Sequence, residues 1–385
     1  SRPTMVWLRN HGIRFIPMFG RQSFMVDGKH HFYGGVNIEA VGGGSGLVEA
    51  EIRRALQIGC EIRYDTAATR LIQDKNKKIT GLEISSPDGI ETINARSIVL
   101  ACGGFESNPE MRARYLGPGW DLARVRGTKH NMGDGIKMAI DIGARAYGNW
   151  SGCHSVGWDI SAPEYGDYEV LDNFQKHSYP WGIMVNTDGN RFVDEGEDLR
   201  NHTYVKFGRE IMKQPNRTAI QIFDQKTIPL LRDEYRIRQV TKVSGNTIAE
   251  LAQELEINAP ALTKTIDEFN AACKPGKFNP SILDGVATTG LNPNKTNWAL
   301  PIDEPPFEAF ITTTGVTFTF GGLKVDDKGS VLDNNDRSIG GLFAAGELVG
   351  GLFYENYPGG SGLMAGAVYG KIAGENAASH AVGNS

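Results

Sequence analysis

The clearest potential for chemistry lies near the carboxyl terminus, where an apolar run ends in a carboxylate and a glycine-rich turn follows. Leu342 to Ala345 is strand-like and leads directly into Gly346-Glu347. Gly359-Gly360-Ser361-Gly362 then opens a helical segment of small apolar residues. Free N–H groups at a helix start attract anionic or electron-rich groups, and glycines let a flat ring approach the backbone. A carboxylate just past a strand suits sugar or polyol hydroxyls, so these residues predict a pocket for a nucleotide-like cofactor.

Three other glycine clusters fall where a predicted strand meets a predicted helix. They are Gly42 to Gly46, Gly103-Gly104 and Gly133-Asp134-Gly135. One cluster by itself is weak evidence, since the first also fits a flexible turn and GxGxxG does not occur in the sequence. Asp134 could simply cap the helix predicted from Gly135 to Ile142. The combination of the clusters nevertheless favours a cofactor site.

The dense charged segment from Asp194 to Arg200 allows two interpretations. The first is a solvated salt-bridge surface, which is the usual role of such runs. In the second, Arg200 lies over a reacting carbon, and carboxylates such as Glu195 tune it or relay protons. Arginine is a poor acid in water, so the second role requires an unusual environment. The spacing alone favours the salt-bridge surface.

Two histidines and a tyrosine are the remaining candidates for substrate contact. Neither His154 nor His177 belongs to an HxxxH pattern, so metal binding is not expected. Each of them could equally be an ordinary hydrogen-bonded histidine. Tyr357 stands next to Pro358 and the glycine turn, where it could donate to a carbonyl or carboxylate oxygen. The alternative for this tyrosine is packing beneath the loop.

Composition excludes several functional classes. The chain has 385 residues, enough for two domains, and its net charge of −5 without a long single-sign run argues against nucleic-acid binding. No apolar run approaches the roughly 18 residues of a transmembrane segment. The cysteines form no CxxC pair, so we expect free thiols in a reducing, cytoplasmic compartment, without a zinc site or a disulfide framework.

The elements that must position these residues alternate between strands and helices, which predicts an α/β fold. Ser97 to Ala101, SIVLA, is the short apolar strand typical of a buried parallel sheet. From about residue 150 to residue 314 the chain is richer in aromatic and charged residues, with helices predicted at Thr247 to Glu256 and Ala259 to Ala272. We therefore predict a discontinuous α/β domain, residues 1–149 and 315–385, with an inserted α+β cap domain at residues 150–314.

The order of the motifs resembles the flavoprotein family of fumarate reductases and succinate dehydrogenases. The motifs are GSGL, VLACGGF, MGDG, NTDGNRFVDE, GGLKVD and GLFAAGE. Within that family the chain is most similar to the tricarballylate dehydrogenase-like branch. The segments that carry this similarity are Phe19 to Gln22, Asn297 to Ile302, Phe318 to Gly322 and Asn356 to Gly362.

The resemblance implies a Rossmann-like FAD-binding domain with a mobile cap that closes over the substrate. It implies that Gly346 and Glu347 contact the ribityl–pyrophosphate part of FAD, and that the N–H groups of Gly360 to Gly362 face the flavin ring. Arg200 falls near the position of the family's proton-transferring arginine, five residues after Glu195, an offset one residue longer than in fumarate reductases. The other FAD contacts that the resemblance implies are Gly44, Ser45, Gly46, Ala101, Gly103, Gly104, Asp134 and Leu363.

The chain also departs from the family pattern. Tyr357 stands where fumarate reductases have a substrate-binding arginine, and Thr317 where they have a histidine, which argues against a plain fumarate reductase. The Tyr-Pro-Gly turn also resembles 3-ketosteroid dehydrogenases. The family's GxGxxG loop and ribose-binding acidic residue are absent, and the chain starts at Ser1 in a pattern typical of the middle of a fold. We therefore expect that a βαβ unit of roughly 30 residues or more is missing and that a signal peptide cannot be assessed.

The leading hypothesis is an FAD-dependent oxidoreductase that dehydrogenates a C–C bond of a small polycarboxylate, tricarballylate-like, by hydride transfer to FAD. Arg200 would handle the proton, while His154, Thr317 and Tyr357 orient a carboxylate or carbonyl group. One alternative is a ketosteroid-type dehydrogenase or a fumarate reductase-like enoate reductase. Another is a non-catalytic fragment that cannot hold FAD by itself. A separate electron acceptor, not identifiable from the sequence, is expected for the enzyme.

Overall fold

The computed structural model of the chain describes residues 1–26, 28–33 and 35–383, so residues 384–385 of the predicted α/β domain lie outside it. Its helices are α1 (Arg2–Asn10), α2 (Phe19–Gln22), α3 (Gly43–Gln57), α4 (Pro109–Met111), α5 (Asp134–Asp141), α6 (Arg200–Met212), α7 (Ile248–Glu254), α8 (Ala259–Ala272) and α9 (Ser361–Ala381). Its strands are β1 (Phe15–Pro17), β2 (Ser23–Val26), β3 (Lys29–Phe32), β4 (Ile38–Ala40), β5 (Ala67–Gln73), β6 (Ile79–Ser86), β7 (Gly89–Asn94), β8 (Ile98–Leu100), β9 (Arg124–Val125), β10 (Ala146–Asp159), β11 (Ile183–Val185), β12 (Ala219–Phe223), β13 (Lys242–Gly245), β14 (Phe307–Leu323), β15 (Ser330–Leu332) and β16 (Ser338–Ala344).

A long antiparallel pair, β10 and β14, runs through the largest sheet. The pair extends from Ala146 opposite Leu323 to Asp159 opposite Thr312, with an irregularity between Gly148 and Cys153. β12 and β11 continue the sheet beyond β14, and β9 and β13 also pair with β14. β-Branched and aromatic residues fill β14, which explains its length. The domain boundaries expected at residues 150 and 315 therefore fall inside two continuous strands.

A smaller sheet contains the predicted parallel strand. β8 pairs in parallel with β16, so the prediction for SIVLA is confirmed, and β15 pairs with β16 in the antiparallel direction. Buried Leu100, Leu342 and Ala344 share a hydrophobic core with Ile136 of α5. β14 ends at Leu323, because its β-forming pattern continues without a break from Phe307 to that residue.

Side-chain caps explain where two helices of the inserted region begin. The Thr247 hydroxyl accepts a hydrogen bond from Glu250 N before α7, and the Asn258 side chain accepts one from Ala261 N before α8. α8 has the predicted limits, and α7 ends slightly earlier than expected. Among the described helices, none combines the length and the apolar character that a membrane crossing requires.

The segment from α2 through β3 packs against the inserted region. The guanidinium of Arg21 lies 3.1 Å from the Asp172 carboxylate. Phe24 meets the Trp181 ring edge-on, with 5.2 Å between the ring centroids. Phe24 and Tyr33, close to the amino terminus, thus form one wall of a cavity whose other lining residues lie between His177 and Trp298 in the sequence.

Candidate active site

The carboxyl ends of β8 and β16 form the first half of the site. Because the two strands are parallel and in register (Leu100 opposite Ala344), Ala101 to Gly104 and Ala345 to Glu347 lie side by side. A side chain on Gly104 would place its Cβ 2.1 Å from Thr319 Oγ1 and 2.2 Å from Glu347 Oε1. Ligands of open α/β sheets bind at this edge, and here only glycine permits the close packing.

The Glu347 carboxyl is held by β14. Its Oε1 accepts hydrogen bonds from Thr319 N at 2.6 Å and from Thr319 Oγ1 at 2.9 Å. Burial, followed by the nearby Glu106 carboxylate, raises the pKa of the Glu347 carboxyl well above its usual range. Asn131 Nδ2 donates to Glu106 Oε1, while Glu106 Oε2 has no hydrogen-bond partner among the described residues. The two acids therefore favour a state in which one of them keeps its proton.

The start of α9 is the second half of the candidate site. Gly360 precedes the helix with φ +81°, a value that favours glycine. Ser361 N donates to Pro358 O at 3.0 Å, and Gly362 N donates to the Tyr357 hydroxyl at 2.9 Å. Two of the N–H groups expected to face a flavin thus have partners within the loop. Leu363 in the first turn is 72% exposed, so the face beside it is open.

The remaining predicted cofactor residues divide into two groups. Gly103, with φ +73°, packs against the Asn131 side chain and belongs to the strand edge. Gly44, Ser45 and Gly46 instead lie in the first turns of α3, which packs against β4. Packing against the nearby backbone requires glycine at position 46, because a Cβ there would lie 2.1 Å from Val41 O.

Asp134 is the first residue of α5, and its side chain is exposed. The N-cap position expected for it belongs to Gly133, so the capping alternative is wrong in its detail. The helix starts one residue earlier than predicted because Gly133 adopts φ +83° and closes the turn. The Asp134 carboxylate still favours the helix through its position in the first turn.

Arg200 begins α6 and lines the cavity that Phe24 and Tyr33 also line. It is 8% exposed, and its Nη2 donates to the Tyr33 hydroxyl at 3.4 Å. Its guanidinium carbon lies 5.4 Å from the centre of the Tyr204 ring. Arg232 and His177 line the same cavity. Arg200 is thus removed from solvent, as the second interpretation of the charged segment requires.

The cavity region carries excess positive charge. Arg126 pairs with Asp172 at 2.7 Å, and Arg21 bridges Asp172 and Glu234. Arg232 Nε lies 3.8 Å from Glu234, and no carboxylate within the described part of the chain pairs with Arg200. Four guanidinium groups therefore share two carboxylates. The excess of two positive charges favours an anionic ligand.

The histidines near this charge are neutral. Burial, followed by the Arg200 charge, lowers the pKa of His177 well below its usual range. Burial, followed by the Arg126 charge, has the same effect on the pKa of His154. Neither His177 nitrogen has a hydrogen-bond partner among the residues that the structure describes. Both rings can therefore accept or donate one hydrogen bond to a ligand.

The predicted substrate residues His154, Thr317 and Tyr357 surround Arg126. The His154 and Tyr357 ring centroids are 4.5 Å apart. Thr317 Oγ1 accepts a hydrogen bond from Arg126 Nη1 at 3.1 Å. The structure thus places all three on one wall, and Tyr204 connects this wall to Arg200 because its ring contacts both His154 and His177.

Glu195 does not have the position that a proton relay requires. It is 1% exposed, its Oε1 accepts from Met184 N at 2.7 Å, and its Oε2 lies 2.5 Å from Arg191 Nη2. These contacts use both carboxylate oxygens, so the geometry gives Glu195 a structural role in place of the predicted catalytic one. The salt-bridge interpretation fits Glu195, although the pair is buried and not solvated.

The sequence did not indicate four residues of the site: Tyr33, Arg126, Tyr204 and Arg232. Only Tyr204 had a usable signal, since its spacing from Arg200 puts both side chains on one face of a helix. The other three reach the site through long-range packing, which no local pattern records.

A comparison with known families identifies the fold. The model of the family described as FAD binding domain matches residues 4–363. The chain belongs to this family. Its cofactor is accordingly FAD, as predicted, and the family consists of FAD-dependent oxidoreductases. The tricarballylate dehydrogenase-like branch is a finer assignment than this match supports.

Several known proteins have sequences and folds similar to this chain. The chain is 29% identical over 381 residues to a probable fumarate reductase of Shewanella frigidimarina, covering 98% of this chain and 59% of that protein. The open conformation of a flavocytochrome c3 fumarate reductase has a TM-score of 0.73 at 26% identity, covering 99% and 62% of the two chains. A 3-ketosteroid delta1-dehydrogenase from Sterolibacterium denitrificans has a TM-score of 0.67 at 26% identity, covering 87% and 63%. The chain thus spans about three fifths of the length of these relatives.

The residues present fit the flavin and ribityl part of FAD. Gly104 and the Glu347 carboxyl both pack against Thr319 of β14. Gly362 packs against Phe318, the preceding residue of the same strand. The edge formed by the ends of β8 and β16 and the start of α9 therefore contact neighbouring residues of β14. Ala101 is exposed at that edge, which leaves room for a ligand.

Proposed function

We propose that this chain carries the catalytic site of an FAD-dependent oxidoreductase acting on a C–C bond beside an anionic group of a small substrate. FAD, when bound, exchanges a hydride with the substrate carbon. The observation that supports the proposal is the pair of buried side chains of Arg200 and Arg232, which line one cavity with His177 and carry unbalanced positive charge. Buried cations of this kind recognise carboxylates.

Each residue has a defined task in this proposal. Arg200 and Arg232 bind the carboxylate, and Arg200 also handles the proton at the carbon next to the one that exchanges hydride. Tyr357 has a free O–H proton, because its oxygen already accepts from Gly362 N. It therefore donates to a carbonyl or carboxylate oxygen. Thr317 holds Arg126, and Arg126 fixes the wall on which His154 lies.

The substrate class that we propose is a small carboxylate with an adjacent C–C bond that is reduced or oxidised. A tricarballylate-like polycarboxylate, predicted from the sequence, is one member of this class. A fumarate-like enoate is another, and the named activity of the Shewanella relative favours it. The electron acceptor or donor and a cytoplasmic location also remain proposals.

Assays of purified protein supplied with FAD test this function. We expect reduced viologen dye to drive reduction of fumarate or acrylate, or tricarballylate to bleach the flavin anaerobically. Arg232→Leu should raise KM about 100-fold for acids, because a charged hydrogen bond is lost. Acrylamide, the neutral analogue of acrylate, should be a poor substrate for the wild-type protein.

Two results would contradict the proposal. Equal turnover of acrylate and acrylamide would show that the buried arginines do not select for charge. A colourless protein that takes up no FAD at micromolar concentration would favour the alternative of a non-catalytic fragment. Lys264→Leu, on the exposed side of α8, is the matched control for removing a cation without touching the cavity.

A further inference from the structure

Glu106 follows the glycines at the end of β8 and is a buried acid without an assigned task. The residue is 2% exposed, and its Oε1 accepts a hydrogen bond from Asn131 Nδ2. Its other oxygen, Oε2, is buried and has no hydrogen-bond partner among the described residues. Burying a polar atom without a partner is costly. A proton between Glu106 Oε2 and a neighbouring acceptor would remove this cost.

The neighbouring acceptor is Glu347, whose carboxyl lies within hydrogen-bonding reach of Glu106. Thr319 donates to Glu347 Oε1 through both its N–H and its hydroxyl, and that hydroxyl accepts from Phe105 N at 3.2 Å. The Glu347 carboxyl therefore cannot turn away from Glu106 without breaking two hydrogen bonds to Thr319. One proton shared between Glu106 Oε2 and the Glu347 carboxyl gives Glu106 the partner that it lacks.

The other titratable groups around the two acids do not replace this proton. The Arg112 guanidinium donates to four backbone oxygens, that of Glu106 among them, and within the described residues to neither carboxyl. Cys153 of β10 and Tyr357 lie within range of the Glu347 charge. Burial raises the pKa of the Cys153 thiol to about 12 and also raises the pKa of the Tyr357 phenol, so both groups are neutral.

Burial raises the pKa of Glu106, and burial together with the Glu106 carboxylate raises that of Glu347. Two adjacent buried carboxyls titrate as a pair, so the pair keeps one proton at pH values where an isolated carboxyl has lost it. Glu347 has a partly exposed surface at the edge formed by β8 and β16, whereas Glu106 is enclosed. A ligand can therefore contact Glu347, and Glu106 contacts it from the protein side.

We propose that Glu106 is a positioning residue of the cofactor site, because it shares one proton with Glu347 and so holds the Glu347 carboxyl in place for a hydroxyl group of FAD. This inference concerns FAD binding and does not depend on the substrate class. With the shared proton, the two acids carry one negative charge, and a carboxylate oxygen can accept from a polyol hydroxyl. Without it, two adjacent carboxylates repel each other and the pyrophosphate of FAD.

Two variants of Glu106 separate its hydrogen bond from its charge. In Glu106→Gln, Asn131 still donates to Oε1, which directs the amide Nε2 towards Glu347 as a donor that does not titrate. Glu106→Ala removes the donor. In fluorescence titrations at neutral pH we expect Glu106→Ala to weaken FAD binding about tenfold, and Glu106→Gln to stay within about twofold of wild type. Glu110→Gln, at an exposed acid of α4, is the matched control. Wild-type affinity in Glu106→Ala overturns the proposal.

The pH profile of FAD binding distinguishes a shared proton from simple packing. We expect the wild-type affinity to fall as the pH rises from about 6 to about 9, because the pair loses its proton as the pH passes through its raised pKa. Glu106→Gln should flatten this fall. Packing alone would give parallel profiles, so parallel profiles for wild type and Glu106→Gln overturn the shared proton. This comparison also decides the question if Glu106→Ala does not fold, as its melting temperature without FAD would show.

Binding and turnover separate this inference from the proposed function. If the protein binds FAD with the expected differences but neither reduces an unsaturated acid nor oxidises a saturated one, the role of Glu106 stands and the proposed function fails. If the protein turns over such an acid while Glu106→Ala binds FAD as tightly as wild type, the proposed function stands and the role of Glu106 fails.

Discussion

Two arginines, one at the start of α6 and one in the segment before it, have opposite environments. Arg191 lies in a buried ion pair with Glu195, whereas Arg200 faces the cavity and, within the described residues, its guanidinium has only the Tyr33 hydroxyl as a hydrogen-bond partner. A buried cation without a carboxylate is costly unless a ligand compensates it. The presence of a carboxylate partner, and not the position in the sequence, therefore distinguishes the structural Arg191 from the candidate functional Arg200.

Glu195→Ala should destabilise the protein much more than it slows the reaction of folded molecules. It leaves Arg191 buried without its carboxylate, a change that costs about 3–5 kcal/mol. The midpoint of urea unfolding, followed by tryptophan fluorescence, measures this loss. Glu197→Ala, which removes a partly exposed partner of Lys206, is the control. A full catalytic loss with an unchanged midpoint would restore the proton-relay hypothesis for Glu195.

Among the helices and strands, those that depend on local signals were predictable from the sequence. α8 has a side-chain cap and an apolar face, and β8 is a short apolar strand, so both were predicted correctly. β14 was not, because its length is set by pairing with β10, which lies far away in the sequence. The residues of the candidate site also differ in whether a local sequence pattern could predict them. The glycine turn at Gly359 to Gly362 was visible, whereas Arg232 and Tyr33 depend on packing between distant segments.

Gly104→Ala tests the close packing between the residues that follow β8 and the strand β14. The new methyl group would overlap Thr319 Oγ1 and Glu347 Oε1, so both must move. We expect at least a tenfold loss of FAD affinity, measured by flavin fluorescence titration, and a destabilisation of about 1–3 kcal/mol.

The control for this variant is Gly374→Ala. Gly374 lies inside α9 with nothing within 4 Å of its would-be Cβ. This change should leave FAD binding intact and stabilise the helix by up to about 1 kcal/mol. If both variants bind FAD equally well, the edge of β8 is not part of the cofactor site.

At the scale of the whole molecule, the buried neutral histidines make stability depend on pH. Their pKa values are lower in the folded chain than in the unfolded chain, so the folded state binds fewer protons. The stability they contribute is complete above the unfolded pKa of about 6.5 and is lost as the pH falls below it. An anionic ligand beside Arg200 would oppose this loss.

We expect the melting temperature to fall between pH 7 and pH 5, and His177→Gln to reduce that dependence. One fully coupled histidine changes the free energy of unfolding by about 1.4 kcal/mol per pH unit. The comparison uses the slope against pH, since the glutamine itself shifts the absolute stability. His31→Gln, at an exposed position, is the control. Parallel slopes for wild type and His177→Gln would show that His177 does not remain neutral.

The continuous pair β10 and β14 also limits how its two ends can shift relative to each other. The strands pair from Ala146 opposite Leu323 to Asp159 opposite Thr312, so any such shift would have to bend the paired strands. The pairing is interrupted between Gly148 and Cys153, where a bend would break the fewest ladder hydrogen bonds. Trp150 lies in this interval and stacks on Phe105, with 5.6 Å between the ring centroids. A bend at this place would therefore also have to separate the two stacked rings.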